Sequence, residues 1–192
     1  MLTGRIVAAH GRQYLVEAAD GSRLHCFPRG KKSEVVCGDR VHYAVTGPGQ
    51  GVIEGIASRR SLLYRSNEFR QKLIAANVDL LVMVVATEPA FSDELLTRGL
   101  LAAACQDVDS LIVLNKCDLA DKLPLARQQL ATLARLGYPI LELSAHQDAT
   151  LLRPHLQGRL SVLVGQSGMG KSTLINALIP EAAAATREIS AA

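Results

Sequence analysis

The chain has 192 residues, 48% of them hydrophobic and 20% charged, with a formal net charge of +3. Met1-Leu2-Thr3-Gly4 lacks the basic start and apolar run of a signal peptide, and the longest apolar run, Leu80–Ala86, falls far short of the ~20 residues that cross a bilayer. These features lead to the expectation of a soluble cytoplasmic protein of one large domain or two small ones.

The first part reads as all-β. Thr3–Ala9, Gln13–Ala18, Arg23–Phe27, Arg40–Val45 and Gly51–Ile56 are short runs of strand-forming residues, separated by turn signals such as His10-Gly11-Arg12 and Asp20-Gly21-Ser22. Five short strands in so few residues suit a small closed barrel of the oligonucleotide-binding type, and a small sandwich produces the same pattern. We place the barrel at residues 1–62 and a linker at 63–76. Residues 1–75 hold twelve Lys or Arg against six Asp or Glu, a balance of +6, whereas residues 76–192 carry −3. Such asymmetry points to a polyanionic partner. The basic residues gather at strand ends and turns, and Lys31, Lys32, Arg59, Arg60 and Arg65 are the candidate contacts to RNA phosphates. Tyr14, Phe27 and Tyr43 are expected in the core rather than stacked on bases.

From Val78 the pattern changes. Asp79–Ala86 is a continuous apolar run, as in a strand covered on both faces of a parallel sheet. Ser92-Asp93-Glu94 caps a helix running through Leu101 to Cys105. Ser110–Leu114 is the next strand, Pro124 opens a helix to about Leu136, Pro139–Leu143 and Leu160–Val164 are further strands, and Ala149–Leu156 is a helix between them. Alternation of this kind predicts a doubly wound α/β sheet over residues 77–192. Cys26, Cys37, Cys105 and Cys117 show no paired spacing, so reduced thiols are expected rather than a zinc site or disulfides.

Gly165-Gln166-Ser167-Gly168-Met169-Gly170-Lys171-Ser172 follows one such strand and opens the helix Ser172–Ile179. In this strand–loop–helix setting it is a phosphate-binding loop. Its glycines let successive N–H groups converge on a β-phosphate at a helix N-terminus. Lys171 would bridge β- and γ-phosphate oxygens as the catalytic cation, and Ser172 would offer its hydroxyl to Mg²⁺, with Thr173 next in the helix.

Asn115-Lys116-Cys117-Asp118 stands at the carboxyl end of another strand, where open α/β sheets bind ligands. The Asp118 carboxylate can accept from guanine N1–H and the N2 amine. Adenine has neither donor, which disfavours it on the order of 10⁴-fold. Asn115 can meet the N7 side and brace the loops, and Lys116 can lie along the base. Ser144-Ala145-His146 follows a third strand, where the Ala145 N–H would donate to guanine O6. Three such motifs define a guanine-nucleotide site. Their order is unusual, because the base-reading motifs precede the phosphate loop; the sequence is that of a circularly permuted GTPase.

A barrel, then Lys72-Leu73-Ile74-Ala75-Ala76-Asn77-Val78-Asp79, then permuted motifs ending in Gly165–Ser172 resembles the ribosome small-subunit-dependent GTPase A family. The resemblance implies a GTPase that binds GTP and GDP with Mg²⁺, acts in late maturation of the small ribosomal subunit and contacts its rRNA through the barrel. It also implies two switch motifs and a zinc-binding domain downstream. No D-x-x-G follows Lys171, and Thr186 is the only Thr after Thr173. The chain is therefore expected to be C-terminally incomplete, monomeric and severely impaired in hydrolysis by itself. A large-subunit assembly GTPase, a P-loop kinase or ATPase, and an RNA-binding module with an inert nucleotide domain are the rival readings.

Overall fold

Alternation in Gln13–Ala18 puts Tyr14 and Val16 on one face of a strand, and neighbouring strands answer with Ile6, Cys26, Val41, Tyr43 and Ile53, all buried in one cluster. A sheet with so much apolar surface on one face closes on itself. The computed structural model, which describes residues 2–30, 34–66 and 71–182, shows a closed barrel in the order β1-β2-β3-β5-β4. Its strands are β1 (Leu2–His10), β2 (Gln13–Ala18), β3 (Arg23–Pro28), β4 (Arg40–Gly47) and β5 (Gln50–Ile56). All neighbours are antiparallel except β3 and β5, which run parallel with Cys26 opposite Gly51. This is the connectivity of the oligonucleotide-binding barrel. Tyr14 and Tyr43 are core residues at 4% and 3% exposure, but Phe27 is 46% exposed. The pleat explains the correction, since Phe27 follows the inward-facing Cys26 and so faces out.

Of residues 63–76, expected as a linker, those described instead belong to two antiparallel strands, β6 (Leu62–Ser66) and β7 (Gln71–Ala76). Arg65 and Lys72, directly opposite each other, obscure the strand pattern in the sequence. Leu63, Ala75 and Ala76 are nevertheless buried, and the Ala76 N–H donates to the Cys37 carbonyl at 3.0 Å. The Asn77 side-chain amide adds a bond to the Gly38 carbonyl at 2.9 Å. Hairpin and barrel thus belong to one compact unit, Met1–Val78.

The second unit is Asp79–Ala192. Its parallel sheet has the order β10-β9-β8-β11, from β8 (Leu80–Ala86), β9 (Asp109–Asn115), β10 (Ile140–Glu142) and β11 (Ser161–Val164). Every residue of β8 is buried, as the unbroken apolar run requires of a strand covered on both faces. Helix α1 (Asp93–Ala104) is capped by the Ser92 hydroxyl, which accepts the Leu95 N–H at 3.2 Å. Its Leu96, Leu100 and Ala103 form the buried stripe. Helix α2 (Leu123–Arg135) carries Pro124 in its first turn, where the missing N–H costs nothing. The helix expected over Ala149–Leu156 is shorter, a 3-10 turn (Thr150–Leu152) leading into α3 (Arg153–Leu156). Helix α4 (Lys171–Leu178) completes the unit, anchored by buried Leu174 and Leu178.

Candidate functional site

The carboxyl ends of β9, β10 and β11 carry the three loops that the sequence singles out. In the phosphate loop, Gly168 and Gly170 have φ of +81° and +87°, a left-handed conformation open to glycine. Gly165 lies so close to the Val84 carbonyl that a Cβ there would collide with it. The loop ends at the N-terminus of α4, whose unpaired N–H groups and dipole favour an anion. Burial lowers the Lys171 pKa, and its ammonium donates to the Gln166 carbonyl at 2.5 Å. The Gln166 side chain accepts the Ser92 N–H at 2.7 Å, tying the loop to the cap of α1.

Asn115 is the hub. It is 1% exposed, and both ends of its amide are engaged. The Nδ2 group donates to the Met169 carbonyl of the phosphate loop, and Oδ1 accepts the Ala145 N–H, each at 2.9 Å. One side chain therefore fastens the base-reading loops to the phosphate loop. The Ala145 N–H, expected to meet guanine O6, is committed to this brace. Leu143 and Cys117 add backbone links, the Leu143 N–H donating to the Leu114 carbonyl at 3.0 Å and the Cys117 N–H to the Leu143 carbonyl at 3.2 Å.

Lys116 has φ of +61°, a conformation that costs a non-glycine residue about 1–2 kcal/mol. It is held there by the Thr87 hydroxyl, which donates to its carbonyl at 2.9 Å, while its own ammonium donates to the Glu88 carbonyl at 2.8 Å. Thr87 and Glu88, which the sequence reading missed, follow directly on β8; position at a strand's carboxyl end is the signal that could have found them. Asp118 stands exposed with its pKa lowered, chiefly by the hydroxyl of Ser144 and then by the charges of His146 and Lys116. The Ser144 hydroxyl is buried and faces Asp118 without closing a hydrogen bond of strict geometry. Cys117 packs inward, its thiol donating to the Leu114 carbonyl at 3.2 Å and its pKa raised by burial. Ser167 is exposed beside the loop and Met169 is buried beneath it.

For a metal, the donor set is the test. Among the described residues no group of three His, Cys, Asp or Glu could hold an ion. Ser172 stands in the first turn of α4, directly after the phosphate-loop lysine. A lone hydroxyl beside an anion cradle fits Mg²⁺, which takes most of its ligands from phosphates and water. A cavity of about 850 Å³ between α3, β11 and α4 is lined by apolar side chains such as Leu156, Leu163, Ile175 and Leu178 together with Arg153 and Arg159, and includes no residue of the three motifs.

The basic candidates divide. Arg59 forms a two-pronged pair with Asp39, at 2.7 and 2.9 Å, and also donates to the Glu34 carbonyl at 2.6 Å. Asp39 is fully buried and itself accepts the Val36 N–H at 2.9 Å. Arg60 donates to the Asn77 and Val78 carbonyls. The Arg59 guanidinium is thus engaged within the first unit, whereas Arg60 is an exposed residue whose two bonds to these carbonyls, at 3.2 and 3.4 Å, come from one nitrogen. Arg65 is exposed on β6. Lys31, Lys32 and Thr186 lie outside the described residues.

A phosphate loop, a guanine-reading loop and an S-A-x loop at the carboxyl ends of strands in one parallel sheet, joined in this chain order, define a circularly permuted GTPase domain. The sequence profile of the RsgA GTPase matches residues 56–192. The chain belongs to the RsgA GTPase family. It is 58% identical over 194 residues to the small ribosomal subunit biogenesis GTPase RsgA of Burkholderia pseudomallei (strain 1710b), covering 98% of this chain and 62% of that protein. The protein of the same description from Bordetella pertussis is 55% identical, with 98% and 64% covered. The chain thus spans less than two thirds of the length of these relatives. Among solved structures it is similar to YjeQ from Thermotoga maritima, with a TM-score of 0.73, 32% identity, and 93% of this chain and 65% of that one covered. It also resembles YloQ, described as a circularly permuted GTPase, with a TM-score of 0.67 and 28% identity over 94% of this chain and 65% of that one.

Proposed function

We propose that this chain binds GTP and GDP with Mg²⁺ and forms part of a cytoplasmic, monomeric GTPase acting in maturation of the small ribosomal subunit. The observation that carries the reading is the Asn115 brace, which ties a guanine-reading loop to a phosphate loop through two 2.9 Å bonds. In this reading the Asp118 carboxylate accepts N1–H and N2–H of the base, and Lys171 leaves the Gln166 carbonyl for the β- and γ-phosphates. Ser172 would hold Mg²⁺, which when bound would supply positive charge to the phosphate oxygens. The relatives' shared description, small ribosomal subunit biogenesis GTPase, supplies the ribosomal role.

The barrel unit is assigned to rRNA, with exposed Arg65 as its described cation and the stretch around Lys31 and Lys32 as a further one. Hydrolysis by these 192 residues is proposed to be slow, because no residue after Lys171 forms a D-x-x-G to position water. Fluorescent GTP and ATP titrations, with and without small ribosomal subunits, test the reading. GTP should bind far more tightly than ATP, and equal affinities would overturn it.

A further inference from the structure

We propose that Gln166 is a positioning residue for the β-phosphate of a bound nucleotide, acting by registering the phosphate loop against the start of α1. The proposal rests on the nucleotide-site reading above and deepens it. Gln166 is half-buried, and both of its oxygens are engaged. Its side-chain Oε1 accepts the Ser92 N–H at 2.7 Å, across 74 positions of sequence. Its main-chain carbonyl accepts the Lys171 ammonium at 2.5 Å. The peptide on which the cation rests is therefore held by the side chain of the same residue.

The far end of this tie is a fixed point. The Ser92 hydroxyl accepts the Leu95 N–H, and its carbonyl accepts the Leu96 N–H at 3.1 Å. Phe91, just before the cap, is buried, and Leu96, Leu100 and Ala103 seat the helix behind it. Gly99 lets α1 lie so near β8 that a Cβ there would collide with the Met83 sulfur. Gly165 presses on the Val84 carbonyl of the same strand. The first two residues of the loop thus take their position from β8 and α1. Without the bond to Ser92 the Gln166 peptide is free to turn, and the N–H groups after it lose their common aim with the ammonium. A carboxylate would bond a helix-start N–H more strongly, but it would set a negative charge in an anion cradle. The amide oxygen supplies the acceptor without the charge. Because the Asn115 brace reaches the loop separately, at Met169, the loss falls on phosphate contacts and spares the base.

Displacement of fluorescent GDP by GDP and by GMP tests this, since GMP keeps the base, ribose and α-phosphate but lacks the β-phosphate. Gln166→Met, which keeps side-chain length and removes the acceptor, should bind GDP roughly tenfold more weakly, with GMP changed by less than about twofold. Equal losses for the two nucleotides, or no loss for GDP, overturn the proposal while leaving the nucleotide site intact. A parent chain that binds GDP no tighter than GMP sinks both. The donor side supplies a second arm. Ser92→Pro and Ser92→Ala lack the same hydroxyl, but only the proline lacks the N–H. Ser92→Pro should therefore bind GDP roughly tenfold more weakly than Ser92→Ala, and the two should bind alike once Gln166→Met is also present. A difference that persists undiminished in that background overturns the proposal. Should the proline variant fail to fold, the comparison of GDP with GMP in Gln166→Met decides by itself.

Discussion

The amide of Asn115 occupies the space where a side chain on Gly170 would begin, close enough that a Cβ at Gly170 would collide with Nδ2. The last glycine of the phosphate loop and the first residue of the guanine motif, 55 positions apart in the sequence, are therefore fitted to each other. Fitting them this way makes base recognition and phosphate recognition one mechanical object.

Gly170→Ala tests that fit. The substitution places an L side chain at φ +87° and drives Asn115 from its seat. Strain of about 1–2 kcal/mol joins the loss of the brace. GDP affinity is expected to fall by about two orders of magnitude in a fluorescence titration.

Asn115→Ala leaves the Met169 carbonyl and the Ala145 N–H without partners in a buried setting. Each orphan costs about 1–3 kcal/mol. A thermal melt of the nucleotide-free chain is expected to show a loss of several degrees. An unchanged melting temperature would mean that the brace contributes nothing to the empty state.

Acid sensitivity reports on Ser144. The Asp118 pKa is lowered, so the ionised carboxylate persists to pH values below its ordinary range and is lost only as pH falls through the lowered value. Ser144→Ala removes the largest cause of that lowering. The acid limb of a GDP affinity profile is then expected to move to higher pH, with affinity at neutral pH reduced less than at acid pH.

Two arginines of the first unit are expected to behave oppositely. Arg59→Ala strands the fully buried Asp39 and should destabilise the unit by about 3 kcal/mol, read from denaturant unfolding. Arg65→Ala should leave stability unchanged and weaken RNA binding while lowering its salt dependence. If Arg59→Ala unfolds like the parent, the pair with Asp39 does not hold the barrel.

Lys171→Met separates binding from stability. Burial lowers the Lys171 pKa, so its charge is a cost to the empty fold that is relieved only as pH rises through the folded value. The variant is expected to melt no lower than the parent at neutral pH, yet to lose nearly all affinity for GTP by calorimetry.

Much of this was legible in the sequence because the signals were local. The β8 run, the capped start of α1 and the three motifs are each read within a few residues, and each lies where its pattern places it. The hairpin of β6 and β7 was missed because Arg65 and Lys72 break its apolar alternation, and its stability comes from contacts with Cys37 and Gly38 far back in the chain. The role of Arg59 was likewise hidden. A cation facing solvent and a cation facing a buried carboxylate look alike until the fold brings Asp39 alongside. Within the site, residue types were readable, but whether the Ala145 N–H was free depended on where Asn115 pointed.

The contact between the Lys171 ammonium and the Gln166 carbonyl closes the phosphate loop on itself, joining its second residue to its seventh. The glycines between them are the freest part of the backbone, and this closure ties the two sides of their curl together. The cation is thereby a fastener of loop shape as well as a source of charge, and Lys171→Met removes both.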